Sequence, residues 1–313
     1  MIFNDANELI DSYLNKVDFL TIEDVELPNY EWVKVYNYSI ENCSKNPELH
    51  ALLANLYINA LGTDYSEVLA KFAVEDGIKK GSVNAIFTLG LMHYEGKGFT
   101  QSYENAIPYF LEAAEKGLWR AQFKLAVCYA VPRGVNLDHQ KAFELYLKVA
   151  ERGYPVAQFN VGRYMYLNKA EYKNKSDCIT WFKLAAKGNI PSAFYYLGNA
   201  YECGHFVEKN LETALEWYKK SALANRVDGF LKLAEFYENG IVVEQSYEKA
   251  YEYYLKAKNI GNHDGKVKVR EYEKNKCPHC KSFYTKTVVK GFFGEKTICS
   301  HCNKKYYYNN YKG

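Results

Sequence analysis

The 313-residue chain lacks any uninterrupted run of about 18 apolar residues, which argues against a membrane-spanning helix. Its opening stretch, MIFNDANELIDSYLNK, lacks the basic and apolar regions of a secretory signal, so a cytoplasmic location is expected. There is no glycine-rich phosphate loop, no G-x-S-x-G elbow and no H-E-x-x-H pair. The 7 histidines and the acidic residues are scattered without nucleophile–base spacing, and an enzyme is therefore not expected. Charge of one sign is also scarce: 40 Lys+Arg stand against 37 Asp+Glu, for a net charge of +3. That balance hides a gradient. Residues 1–50 hold 3 basic and 10 acidic residues, and residues 265–313 hold 12 and 3, so the two ends meet different environments. Apolar residues at 48% and charged residues at 25% are ordinary globular composition and exclude wholesale disorder. In a reducing compartment the 8 cysteines pose a question of metal rather than of disulfides.

What is present is a repeat. AIFTLG at Ala85, AQFKLA at Ala121, AQFNVG at Ala157, AFYYLG at Ala193 and GFLKLA at Gly229 recur every 36 residues, with a weaker copy, LHALLA, at Leu49. Six units thus cover residues 49–264. One column reads Ala70, Ala106, Ala142, Cys178, Ala214, Ala250, and another reads Tyr57, His93, Tyr129, Met165, Tyr201, Tyr237. A third reads Ser66, Ser102, Asp138, Asn174, Asn210, Ser246, all residue types that cap helix N-termini. Each unit therefore reads as two helices, such as 85–95 and 103–116, broken by Gly96 and Gly98. Gly117, Gly153, Gly188 and Gly261 follow second helices, where a left-handed residue is expected. One helix pair cannot bury its apolar face alone, so neighbouring units must stack.

These tracts resemble the Sel1-like repeat family, whose pattern is visible in AFYYLGNAYECG from Ala193, NLETALEWYKKSA from Asn210 and YENAIPYFLEAAEKG from Tyr103. The resemblance implies an all-α fold, a right-handed α/α solenoid of TPR-like helix pairs, and a role in protein–protein interaction. The first unit departs most, because Leu49 replaces the opening Ala and its second helix has no Trp-Tyr pair. Some cysteine-rich members bridge each unit with paired cysteines. Cys128, Cys178 and Cys203 have no partners at matched positions, so that chemistry is not carried over.

Residues 1–48 are expected to form a helical cap. Leu9, Ile10, Tyr13, Leu14 and Val17 fall at helical spacing, and a second helix is expected over Glu31–Cys43. Residues 265–276 are expected to form a closing helix. Residues 277–313 contain Cys277-Pro-His-Cys280 and Cys299-Ser-His-Cys302, two C-x-x-C knuckles at zinc spacing. Four thiolates suit tetrahedral Zn²⁺ with no open position, so one structural zinc per chain is expected in a small β ribbon. Rubredoxin-like iron and a redox pair built on C-P-H-C use the same residues. The second knuckle and the missing βαβ context favour zinc.

His93 is read as a packing substitute for the column tyrosine. Positions three and six residues into each unit should face a groove. They include Thr88, Leu91, Lys124, Val127, Asn160, Arg163, Tyr196, Asn199, Lys232 and Glu235, and they vary in chemical type. A non-catalytic adaptor binding a protein or peptide partner on Lys124, Asn160, Arg163, Tyr196, Asn199, Lys232 and Glu235 is the leading expectation. The ribbon then serves as a second contact surface. Two other readings stand beside it. A nucleic-acid-associated protein would use the basic ribbon at Lys281, Lys286, Lys290, Lys304 and Lys305. An enzyme would need a composite groove site.

Overall fold

The structure is a computed structural model that describes residues 5–14, 26–275, 286–291, 294–299 and 305–307. It is a helical repeat solenoid divided into two compact units, Met1–Cys178 and Ile179–Gly313.

In the first unit, α1 (Ala6–Leu14) and α2 (Asn29–Asn42) precede the repeats. Then come the pairs α3 (Glu48–Asn59) with α4 (Glu67–Lys79), α5 (Val83–Glu95) with α6 (Tyr103–Glu115), and α7 (Trp119–Ala130) with α8 (His139–Ala150). Helix α9 (Pro155–Tyr166) and a 3₁₀ turn at Lys175–Asp177 follow. Each second helix packs on its own first helix and on the first helix of the next pair. The N-terminal pair joins the same core: Ala6, Leu9, Ile10, Trp32 and Val35 are buried in one cluster with Leu49, Leu52 and Leu56 of α3. Glu31 of α2 accepts the Ala6 amide hydrogen bond at 2.8 Å, which places a carboxylate at the positive end of α1. Val17, expected to extend this helix, lies outside the described residues.

The second unit takes α10 (Cys178–Lys187) from Ile179 on, followed by α11 (Pro191–Cys203) with α12 (Leu211–Leu223), and α13 (Val227–Asn239) with α14 (Tyr247–Asn259). Helix α15 (His263–Asn275) packs on α14, burying Val269 and Tyr272 where a seventh first helix would stand. Three short strands follow: β1 (Lys286–Gly291), β2 (Gly294–Cys299) and β3 (Lys305–Tyr307). They pair antiparallel in the order β1-β2-β3, with Gly291 opposite Gly294 and Lys286 opposite Cys299. Cys277, Cys280, Cys302, Lys281 and Lys304 lie outside the described residues, as do His279 and His301.

The repeat columns explain the packing. Ala70, Ala106, Ala142, Cys178, Ala214 and Ala250 are each wholly buried, because a longer side chain would hold the paired helices apart. At Gly198 the approach is closer still: an added Cβ would lie 2.5 Å from the Tyr218 ring. Ser66, Ser102, Asp138, Asn210 and Ser246 each accept the backbone N–H three residues on, at 2.8–3.3 Å. Asn174 does not. The 3₁₀ turn separates it from α10, and its side chain donates instead to Asp177 at 2.8 Å.

The left-handed residue after each second helix needs one correction. In that unit it is Asn189 (φ 56°), not Gly188, and in the next it is Asn225 (φ 55°). These two stand in one 36-residue column with Gly81, Gly117, Gly153 and Gly261, so the repeat length is constant there. Asparagine tolerates the conformation because its short amide side chain can bond locally.

Candidate functional site

The sequence directs attention to the first helices of the repeats. Lys124 sits on α7, Asn160 and Arg163 on α9, Tyr196 and Asn199 on α11, and Lys232 and Glu235 on α13. All but Asn160 are half-buried, and several are engaged with the preceding repeat.

Lys232 shows the arrangement best. Its ammonium lies 3.1 Å from Glu202 Oε1 and 3.0 Å from Glu235 Oε2. Glu202 also accepts a hydrogen bond from the Tyr218 hydroxyl. Burial works to lower the Lys232 pKa, but the bonds to Glu235 and Glu202 outweigh it and leave the pKa raised. Thirty-six residues later the same triad recurs. Tyr254 donates to Glu238 at 2.7 Å, and Lys268 lies 3.4 Å from Glu238. Glu202, Glu238, Tyr218 and Tyr254 stand outside the positions that the repeat spacing assigns to a groove, and Lys268 continues the Lys232 column onto α15. Their signal is a Glu–Tyr–Lys spacing of 16 and 30 residues, repeated at the period.

Lys124 occupies the matching position in the first unit, where Tyr94 stands in place of the glutamate. Its ammonium lies 4.2 Å from the centre of the Tyr94 ring, a cation–π contact. Burial lowers its pKa, and burial likewise raises that of nearby Glu95, which the Lys124 charge partly offsets.

Asn160 and Thr88 depart from expectation. Both are buried, at 8% and 4% exposure, so neither presents an open groove surface. Asn160 Nδ2 donates to the Val156 carbonyl at 2.9 Å, and its Oδ1 accepts from Arg163 at 3.0 Å. Asn160 is thus satisfied within its own helix, whereas Thr88 Oγ1 accepts from Asn55 Nδ2 of α3 at 3.4 Å. The Arg163 guanidinium also lies 5.8 Å from the Phe159 ring centre. Tyr196 packs on Phe182, with ring centres 5.2 Å apart. The polar half-exposed set that remains is Lys124, Arg163, Asn199, Lys232 and Glu235.

His93 stacks between Phe99, at 4.2 Å, and Tyr109, at 5.7 Å, and burial lowers its pKa. It packs as an aromatic ring. Cys43, Cys128 and Cys203 are free thiols, and burial pushes Cys128 up to about 11, which keeps it protonated and unreactive at neutral pH. No three metal-ligating side chains converge among the described residues. Of the basic residues expected on the ribbon, Lys286 and Lys290 lie on β1 and Lys305 on β3.

A family model described as the Sel1 repeat matches residues 83–118, 119–154, 155–190, 191–225 and 231–262. The chain belongs to the Sel1 repeat family. The five matched units exclude the one beginning at Leu49, although α3 and α4 fold there as a pair. Among solved structures, the chain is similar to c5321 of Escherichia coli, described as a protective antigen of uropathogenic strains displaying an SLR fold. The two are 25% identical, with a TM-score of 0.70, over 80% of this chain and 53% of that one. The chain thus spans about half the length of that relative. A Sel1 repeat protein from Oxalobacter formigenes matches at 23% identity and a TM-score of 0.62, over 74% of this chain and all of that one. No curated protein matches. Sel1 repeat proteins generally mediate protein–protein interaction and are typically non-catalytic scaffolds. No helix of the described residues is long and apolar enough to cross a membrane.

Proposed function

We propose that this Sel1 repeat protein is a non-catalytic adaptor that holds a protein or peptide segment on the first-helix faces of its repeats. One observation carries the reading. A constant buried set fixes the helix pairs, while the half-buried positions beside it change chemistry from unit to unit. A constant scaffold with a varied face is how helical repeats distinguish partners. The test uses affinity purification with partner identification. Lys124→Ala with Arg163→Ala alters the first unit, and Tyr196→Ala with Asn199→Ala alters the second. Loss of a partner from either variant, with helical content retained by circular dichroism, supports the reading. Full recovery from both overturns it.

We further propose that Cys277, Cys280, Cys299 and Cys302 hold a structural zinc, giving the C-terminal segment a ribbon that serves as a second contact surface. The donor set supports this: four thiolates in two knuckles satisfy tetrahedral Zn²⁺ and leave no open position. Bound metal would supply folding energy that so small a segment cannot draw from a core. Elemental analysis of the purified protein should give one zinc per chain. A zinc-free, folded protein overturns the proposal.

A further inference from the structure

A second face of the second unit carries a feature that the first-helix columns do not explain. Lys183, Lys187, Phe194, Trp217, Lys220 and Leu223, from α10, α11 and α12, line an open depression of about 760 Å³. Phe194 and Trp217 form its aromatic floor, stacked with ring centres 6.1 Å apart and planes 18° from parallel. Leu223 stands at its edge, 83% exposed, and extends the apolar surface of the floor. The three lysines rim the floor and are exposed, with Lys220 Nζ 4.2 Å from the Trp217 ring centre. No carboxylate is among its described lining residues.

The same construction recurs one repeat later. Phe230 and Tyr253 stack at 6.4 Å and 28°, and Lys256 lies 5.9 Å and 5.2 Å from the two ring centres. Phe230, Tyr253 and Lys256 stand 36 residues after Phe194, Trp217 and Lys220. The aromatic–lysine step therefore recurs at the repeat period, with Lys256 exposed and Tyr253 half-buried, while Phe230 is buried in the core.

An aromatic floor favours a large apolar side chain, and a lysine rim without carboxylates favours anionic flanks. We propose that this face docks an acidic peptide segment of a partner protein, with an aromatic or leucine anchor seated on Phe194 and Trp217 and carboxylates facing Lys183, Lys187 and Lys220. The inference rests on the adaptor reading and assigns it a surface and a ligand chemistry. The half-buried Tyr253 and exposed Lys256 one repeat later would give an extended segment a second, smaller contact. Packing of the anchor holds the complex, while the rim charges steer encounter and weaken with salt.

The probe is a fluorescein-labelled peptide, Glu-Glu-Phe-Glu-Glu-Leu-Glu-Glu, titrated with the full chain and read by anisotropy. The Lys183→Glu, Lys187→Glu, Lys220→Glu triple variant should bind at least about tenfold more weakly, as should Trp217→Ala. A Lys-for-Glu version of the peptide should not bind. The lysines are exposed, so the triple variant keeps the test valid even where Trp217→Ala unfolds. Equal binding by wild type and triple variant overturns the proposal, and so does equal binding of the basic peptide. Tighter binding of an oligo-dT strand than of the acidic peptide also overturns it, by assigning the face to nucleic acid. A partner captured equally by wild type and triple variant, but lost from the first-helix variants, overturns this face while leaving the adaptor reading intact.

Discussion

At the scale of single residues, the repeat is governed by where a Cβ or a carboxylate fits. Gly198 is set against Tyr218, whose ring atoms would lie 2.5–3.0 Å from an added Cβ. Tyr218 is wholly buried and cannot swing away. Gly198→Ala should therefore destabilise by about 1–3 kcal/mol, the usual cost of overpacking, measured as a lower urea midpoint at unchanged slope. Glu202 makes a different prediction. It joins the Tyr218 hydroxyl to Lys232, so Glu202→Ala removes the carboxylate that accepts from the buried hydroxyl and leaves Lys232 with Glu235 alone. A cost of about 1–3 kcal/mol is expected. Tyr218→Phe should cost less in the Glu202→Ala background than in the wild type, by a coupling of about 0.5 kcal/mol or more. Strict additivity in that double-mutant cycle would show that the hydroxyl and carboxylate do not act together.

At the scale of elements, the sequence places and pairs the helices well and misreads one cap. The cap column, the small-residue column and the glycine breaks all lie within a few residues of the features they specify. Periodicity alone therefore locates α5 and α6 to within two residues of 85–95 and 103–116. Asn174 escaped because cap preference is a property of residue type, whereas capping needs a helix that starts at the next residue. Here a 3₁₀ turn intervenes, and α10 begins at Cys178. The difference is measurable. Asp138→Ala should lose about 1 kcal/mol of stability, in line with other removed caps, while Asn174→Ala should change it by no more than a few tenths. Equal losses in thermal or urea unfolding would mean that Asn174 caps in solution. The candidate face was legible only in part. The spacing identified which helix carries Lys124, Asn160 and Lys232. Burial of Asn160 and the tie of Lys232 to Glu202 depend on side-chain length and on a residue 30 positions away, and neither is written in a single unit.

At the scale of the whole molecule, the abundance of tyrosine becomes a pH limit on the fold. The chain has 30 tyrosines, and 20 of them lie within the repeats. Burial together with the Tyr36 hydroxyl pushes Tyr57 up to about 12. Burial also raises Tyr146, with Tyr164 adding to it, and raises Tyr218 and Tyr254, where Glu202 and Glu238 add to the effect. Tyr272 is raised by burial and by Glu238. A group whose pKa is higher in the folded state stabilises the fold fully below its unfolded value. That contribution is lost as the pH rises toward the folded value. For tyrosine the loss begins at about pH 10 and continues to about 12 and beyond. Cys128, at about 11, adds a smaller loss that starts nearer the ordinary thiol value. Tyr57 and Tyr146 belong to the first unit, and Tyr218, Tyr254 and Tyr272 to the second, so both units should fail on the alkaline side. Raising the pH from 9 to 12 should therefore produce helix loss, by far-ultraviolet circular dichroism, together with a steep step in tyrosinate absorbance from the buried set. If all tyrosines ionised gradually with the helices intact, the rings buried between repeats would have to be reached by water in the native state. The packing of Tyr218 against Gly198 forbids that.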